Sequence, residues 1–127
     1  PTGTPINKKI SAANVFNYIP TFIATNSTES LTNSSSAASV STAVSLVDSS
    51  GGATGLSLAA GVTGQIKTII CTTAGNNITI TPAATVGSGT TIVLDAAGES
   101  VTLMYTGSAW AAIATSSFAS SISTVIQ

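Results

Sequence analysis

Four carboxylates, three amines and one thiol are nearly all that this 127-residue chain offers for acid–base or nucleophilic chemistry, for it has no histidine and no arginine. Asp95 and Glu99 stand four residues apart around one tight turn. A glycosidase needs two carboxylates about 5–10 Å apart across a sugar in a cleft. Two acids on a hairpin tip face water instead, and Asp95 reads as the cap of its own turn, accepting from backbone N–H groups. Cys71 lies in the run IKTIICTT. A cysteine becomes a nucleophile when a base or a helix N-terminus lowers its pKa. With no imidazole in the chain, Cys71 reads as a small buried hydrophobe. One Cys and dispersed acids make no metal-ligand set. The glycines of GGATG, residues 51–55, lack the following Lys-Ser/Thr of a phosphate-binding loop and read as a flexible connection. The expectation is a chain with no catalytic residues, no metal and no cofactor, and not an enzyme.

Charged residues make up 6% of the sequence, against about 25% in ordinary soluble domains. Ser and Thr replace them, supplying about a third of the chain. Net charge is −1. Lys8-Lys9 is the sole adjacent basic pair, which excludes the basic cluster that a phosphate backbone requires; no nucleic-acid partner is expected. Mean hydropathy is +0.50, yet no window approaches the ~20 apolar residues of a membrane span. No membrane partner is expected. The start PTGTPINKK lacks the apolar stretch of a signal peptide. A lone Cys71 forms no internal disulfide, in keeping with folding in a reducing cytosol.

The elements that must position these groups read as strands. Val40, Thr42, Val44 and Leu46 share one side of a period-2 pattern. Leu56 and Leu58 alternate with small residues. Gln65 to Thr72 is apolar and β-branched, and Asn77 to Thr81 sets Ile78 and Ile80 against Thr79 and Thr81. Thr90 to Leu94, Ser100 to Tyr105 and Ala109 to Ala114 follow. The stretch Asp95–Gly98 suits a type I turn closed by Gly at positive φ, and Gly107-Ser108 suits a type II′ hairpin. The final SSFASSISTVIQ reads as a last strand or an extended tail. Strands punctuated every 8–12 residues or so predict an all-β fold, a small antiparallel β-sandwich or barrel. Residues 31–127 form the expected β-domain. Residues 1–30 hold three of the four prolines and read as an extended N-terminal arm or contact segment. Its candidate contact residues, for a partner or for another subunit, are Ile6, Lys8, Lys9, Ile10, Phe16, Tyr18 and Phe22; the resemblance described below makes that partner a capsid.

Trp110 and Tyr105 flank the Gly107-Ser108 turn. They are read as core or interface anchors; the alternative is a sugar-stacking pair on a carbohydrate-binding module. Threonine arrays on flat strands can bind crystalline surfaces, but the Thr79/Thr81 spacing does not recur at a fixed period.

The segment Gly64 to Ile113 opens G-x-x-K-x-I (Gly64, Lys67, Ile69), continues AGNNITITP, and ends G-TTI-LDAAGESVTL-Y-G-AW. It resembles a module of tailed-phage virion proteins, found in capsid decoration (cement) proteins and in head or tail fibres. The resemblance covers about 40% of the chain. It implies a homotrimer that binds the major capsid protein on the outer capsid surface of the virion, made in the host cytoplasm. The short chain without shaft repeats favours decoration; a head or tail fibre or spike component is the alternative.

Overall fold

A computed structural model describes residues 27–117. Every regular element among them is a strand: β1 (Thr28–Thr32), β2 (Ala37–Ala38), β3 (Val44–Asp48), β4 (Thr54–Leu58), β5 (Ile66–Thr73), β6 (Ile78–Pro82), β7 (Ile92–Leu94), β8 (Ser100–Tyr105) and β9 (Trp110–Ser116). They form two mixed sheets, ordered β1-β3-β5-β8-β9 and β2-β4-β6-β7. The all-β expectation holds. The barrel does not, because neither sheet closes on itself. β1 begins at Thr28, so the expected boundary near residue 30 falls inside a strand.

The expected antiparallel arrangement is also corrected. Four pairings are parallel: β1–β3, β3–β5, β2–β4 and β4–β6. Only β5–β8, β6–β7 and β8–β9 are antiparallel. From β1 to β6 the chain alternates between sheets at every strand, so neighbours within a sheet are one full circuit apart. Parallel strands need a crossover of a dozen or more residues, and here the crossover contains a strand of the other sheet. The antiparallel β7, β8 and β9 then finish both sheets.

Side-chain alternation decides which face of each strand is buried. Leu56 and Leu58 of β4, Ile78 and Ile80 of β6, and Val101, Leu103 and Tyr105 of β8 point inward, as their period-2 spacing predicts. These join Leu31, Ala38, Val47, Ile69, Cys71, Leu94 and Trp110 in one cluster drawn from both sheets. The region around β3 departs from its pattern. Ser45 and Val47 are buried while Val44 and Leu46 are half-buried on the opposite side, and residues 39–43 are not strand. The two predicted turn glycines take the left-handed backbone that a Cβ disfavours, Gly98 at φ 91° and Gly107 at φ 108°.

Candidate functional site

Ile6, Lys8, Lys9, Ile10, Phe16, Tyr18 and Phe22 lie outside the described residues. Tyr105 and Trp110 lie at the centre of the described fold. They are register partners across β8 and β9. Their rings meet edge-to-face with centroids 5.1 Å apart and planes at 68°, the geometry the aromatic quadrupole favours. The Trp110 indole N–H donates to the Ala59 carbonyl at 2.8 Å. The Trp110 backbone amide donates to Ala84, and its carbonyl accepts from Val86. One residue thus fastens the first sheet to the β4–β5 loop and to the β6–β7 loop. Both rings are buried, so neither presents a face on which a sugar could stack.

The turn between β7 and β8 is built as predicted but capped by the other acid. Glu99, not Asp95, accepts from backbone, taking the Asp95 N–H at 2.6 Å and the Ala96 N–H at 3.1 Å. Those amides hold its carboxyl below the ordinary value. The expected cap was Asp95; the longer Glu99 side chain instead reaches back to the Asp95 and Ala96 amides. Cys71 is buried. Burial first, then the charges of Glu99, Asp48 and Asp95, push its thiol up. It stays protonated at neutral pH, the opposite of what a nucleophile needs.

A polar cluster absent from the sequence-based candidates occupies one end of the buried face of the first sheet. Lys67 is fully buried in β5, beside Leu103 of β8. Its Nζ donates to the Thr42 carbonyl at 3.0 Å and to Thr42 Oγ1 at 2.8 Å, and lies 3.6 Å from Glu29 Oε2. The same Glu29 oxygen accepts from the Ser39 amide at 2.7 Å and from the Ser45 hydroxyl. Burial alone would raise the Glu29 carboxyl. The Ser45 hydroxyl, the Ser39 amide and the Lys67 ammonium outweigh it and hold the group below its ordinary value. Burial lowers the Lys67 ammonium, and Glu29 offsets this in part. The cluster pins β1, β3, β5 and the β2–β3 connection to one another. It has the form of a structural lock: no buried side-chain polar atom among the described residues lacks a partner. The signal that could have revealed it is period 2, since Lys67 falls on the same side of β5 as Ile69 and Cys71.

The outward faces of the sheets are the remaining surface. On the second sheet, register brings Ala37, Ser57 and Thr81 into one row and Gly55, Thr79 and Val93 into the next. This is a low, uncharged surface with a single Thr-x-Thr pair, not a threonine array. On the first sheet the outer rows are Ser30, Leu46, Ile70, Ser100 and Ser116, then Thr28, Val44, Thr68, Thr102 and Ala114. Among the described residues, charge outside the buried cluster is limited to Asp48, Asp95 and Glu99, all near the Cys71 end of the fold. No group of three or more His, Cys, Asp or Glu side chains that could hold a metal occurs among the described residues. No family model matches the chain, and no curated protein matches it.

Proposed function

We propose that this chain is a capsid decoration protein of a tailed phage, acting as a homotrimer that binds the major capsid protein on the outer surface of the assembled head. The observation that carries the reading is the virion-module resemblance of Gly64 to Ile113. That stretch contains β5 to β8 and most of β9. Its distinctive positions are framework positions here: Lys67 in the buried cluster, Gly98 and Gly107 in the turns, and Trp110 as the anchor between sheets.

The two sheets around one core form a sandwich-like block whose outer faces are uncharged in their central rows. The segment ahead of β1, residues 1–26, with Ile6, Lys8, Lys9, Ile10, Phe16, Tyr18 and Phe22, serves as the arm that reaches a capsid subunit or a neighbouring copy. A protein that binds the assembled shell and not its free subunits stabilises the shell by mass action. Such a role needs surface and no chemistry, in keeping with a protonated Cys71 and a Glu99 engaged in its own turn. A head or tail fibre or spike component shares the resemblance and is the second reading.

The test is native mass by light scattering, followed by sedimentation with bare tailed-phage heads. The expected result is three times the 12.4-kDa chain mass and co-sedimentation with heads. A monomer that stays in the supernatant overturns the reading.

A further inference from the structure

The two outer strands of the first sheet, β1 and β9, run in the same direction. β1, β3 and β5 are parallel, β8 opposes β5, and β9 opposes β8. Among the described residues β1 pairs with β3 alone and β9 with β8 alone. β9 is the longer of these edges, with neither charge nor proline, and residues 112–116 are exposed on both of its sides. Folded proteins usually protect an edge of this kind or pair it.

The outward face of this sheet is graded in size. Val44 and Leu46 stand on β3, Ile66 and Ile70 on β5, and Met104 on β8. Lys67 and Leu103 are buried on the inner side, so their neighbours Ile66 and Met104 point outward. Ile66 is 42% exposed. Thr68 and Thr102 lie among these aliphatics, hydrogen-bonded to each other. The two outer strands carry short side chains on the same face: Thr28 and Ser30 on β1, Ala114 and Ser116 on β9. Among the described residues, charge is confined to one end of this face, where the Asp48 carboxylate accepts from the amide and hydroxyl of Ser50. An apolar centre within a polar margin is the layout of a protein–protein contact. The outer face of the second sheet has no such centre, for Gly55, Ser57, Thr79 and Thr81 occupy it.

A threefold axis parallel to the strands accounts for the edges and the face together. Rotation about it preserves strand direction and height. β9 of one copy then meets β1 of the next, pointing the same way, and three copies close a ring. Five strands about 4.8 Å apart, with one more step at the corner, give each side a width of roughly 24 Å. The sides of such a triangle lie about 7 Å from its axis. Stacked sheets pack about 10 Å apart, so average side chains fill about 5 Å from each. Long side chains are therefore needed at the middle of each side and short ones in the corners, which is the gradient this face has. The same symmetry excludes charge near the axis, where a charged group would face two copies of itself.

We propose that the outward face of the β1-β3-β5-β8-β9 sheet is the self-contact surface of the homotrimer. Three copies pack Val44, Leu46, Ile66, Ile70 and Met104 around a threefold axis, with β9 of each against β1 of the next. This rests on the homotrimer of the proposed function and identifies the surface that makes it.

Symmetry fixes which residues meet. Thr28 and Ala114 end one row of the sheet, and Ser30 and Ser116 end the next. Each end of a row meets the other end in a neighbouring copy. Thr28→Cys with Ala114→Cys, and Ser30→Cys with Ser116→Cys, are treated in the full chain with a short bismaleimide. Within one chain the paired positions stand four strand spacings apart, about 19 Å, beyond the reach of the linker. Cys71 is buried and stays out of the reaction. Covalent trimers are expected from both pairs and from none of the four single variants. Linked dimers from Ala114→Cys alone would place β9 against β9 across a twofold and overturn the proposal, as would no linkage between chains in either pair. Native mass is the second measurement. Ile70→Asp should reduce the trimer to a folded monomer of one third the mass, with Trp110 emission unchanged, while Thr79→Asp on the second sheet leaves the trimer whole. A trimer that survives Ile70→Asp overturns this surface and leaves the homotrimer standing. A natural chain that is monomeric overturns both. Linked trimers that do not sediment with phage heads uphold this surface and overturn the capsid reading alone.

Discussion

Replacing Glu29 by Ala should cost far more stability than replacing its partner Lys67 by Met. Glu29→Ala removes the one acceptor shared by the Ser45 hydroxyl, the Ser39 amide and the Lys67 ammonium. Ser45 and Lys67 are both fully buried. The ammonium keeps only the two oxygens of Thr42. Leaving one charge of a buried pair uncompensated costs about 3–5 kcal/mol. Glu29 keeps 20% of its side chain exposed, so water can enter the vacated space, and the lower end, about 3 kcal/mol, applies. Lys67→Met acts differently. It keeps an apolar stem of similar length and removes the buried ion. Glu29 retains the Ser45 and Ser39 donors and its contact with water, so the expected cost is about 1 kcal/mol or less. Urea unfolding at one fixed chain concentration measures both, since association would make the midpoint depend on concentration. With a slope of about 1–3 kcal/mol per molar urea, Glu29→Ala should lower the midpoint by roughly 1–3 M at unchanged slope. Equal losses for the two variants, or a Glu29→Ala cost below about 1 kcal/mol, would refute the asymmetry on which the cluster's description rests.

The same cluster sets a pH dependence. Glu29 is held below its ordinary value of 4.5, so its contribution is complete above that pH and is lost as pH falls through the lowered value. Lys67 is also lowered, from 10.5, so the unfolded chain binds that proton more tightly and stability rises as pH climbs from the lowered value toward 10.5. Urea midpoints across pH should show a shallower acid loss for Glu29→Gln than for the natural chain; identical acid limbs would count against this. Gly61→Ala should destabilise by about 1–3 kcal/mol through overpacking. The new Cβ would lie 2.9 Å from Cζ2 of Trp110 and 2.5 Å from Oε1 of Gln65. Both neighbours are tethered, Trp110 to Ala59 and Gln65 to Val40 and Val62. A lowered thermal midpoint with a shifted Trp110 emission checks it, and an unchanged midpoint refutes it.

The strands themselves were legible because alternation is local. Ile78 and Ile80, or Val101, Leu103 and Tyr105, announce a buried side whatever lies next to them. Pairing is not local, and alternation is the same in parallel and antiparallel neighbours. A chain of short strands separated by turn residues therefore suggested an antiparallel sandwich or barrel, while the real neighbours of β3 are β1 and β5, both parallel to it. An internal repeat would have given the coil away. Thr28 pairs with Val44 and Val44 with Thr68, steps of 16 and 24 residues, and unequal steps leave no fixed period to detect. Around β3 the pattern misled because the buried position went to Ser45, whose hydroxyl is needed by Glu29, and not to Val44 or Leu46.

Low charge reads differently once the fold is known. The sequence has seven charged residues, and two of them, Glu29 and Lys67, are turned inward to fasten strands to one another. Lys8 and Lys9 belong to the segment before the described residues. The described surface is left with Asp48, Asp95 and Glu99 near one end, and the broad faces of both sheets carry Ser, Thr, Ala and aliphatic side chains in their central rows. Charged side chains on faces and edges are a common protection against unwanted sheet contacts. This chain lacks it where its sheets are widest and keeps it where its turns are tight. A partner meeting those faces would be held by apolar contact and hydroxyl hydrogen bonds, with little electrostatic steering and little for salt to screen. Under the proposed function such a surface would be covered within an assembly, which makes the mass of the native particle the first quantity to know.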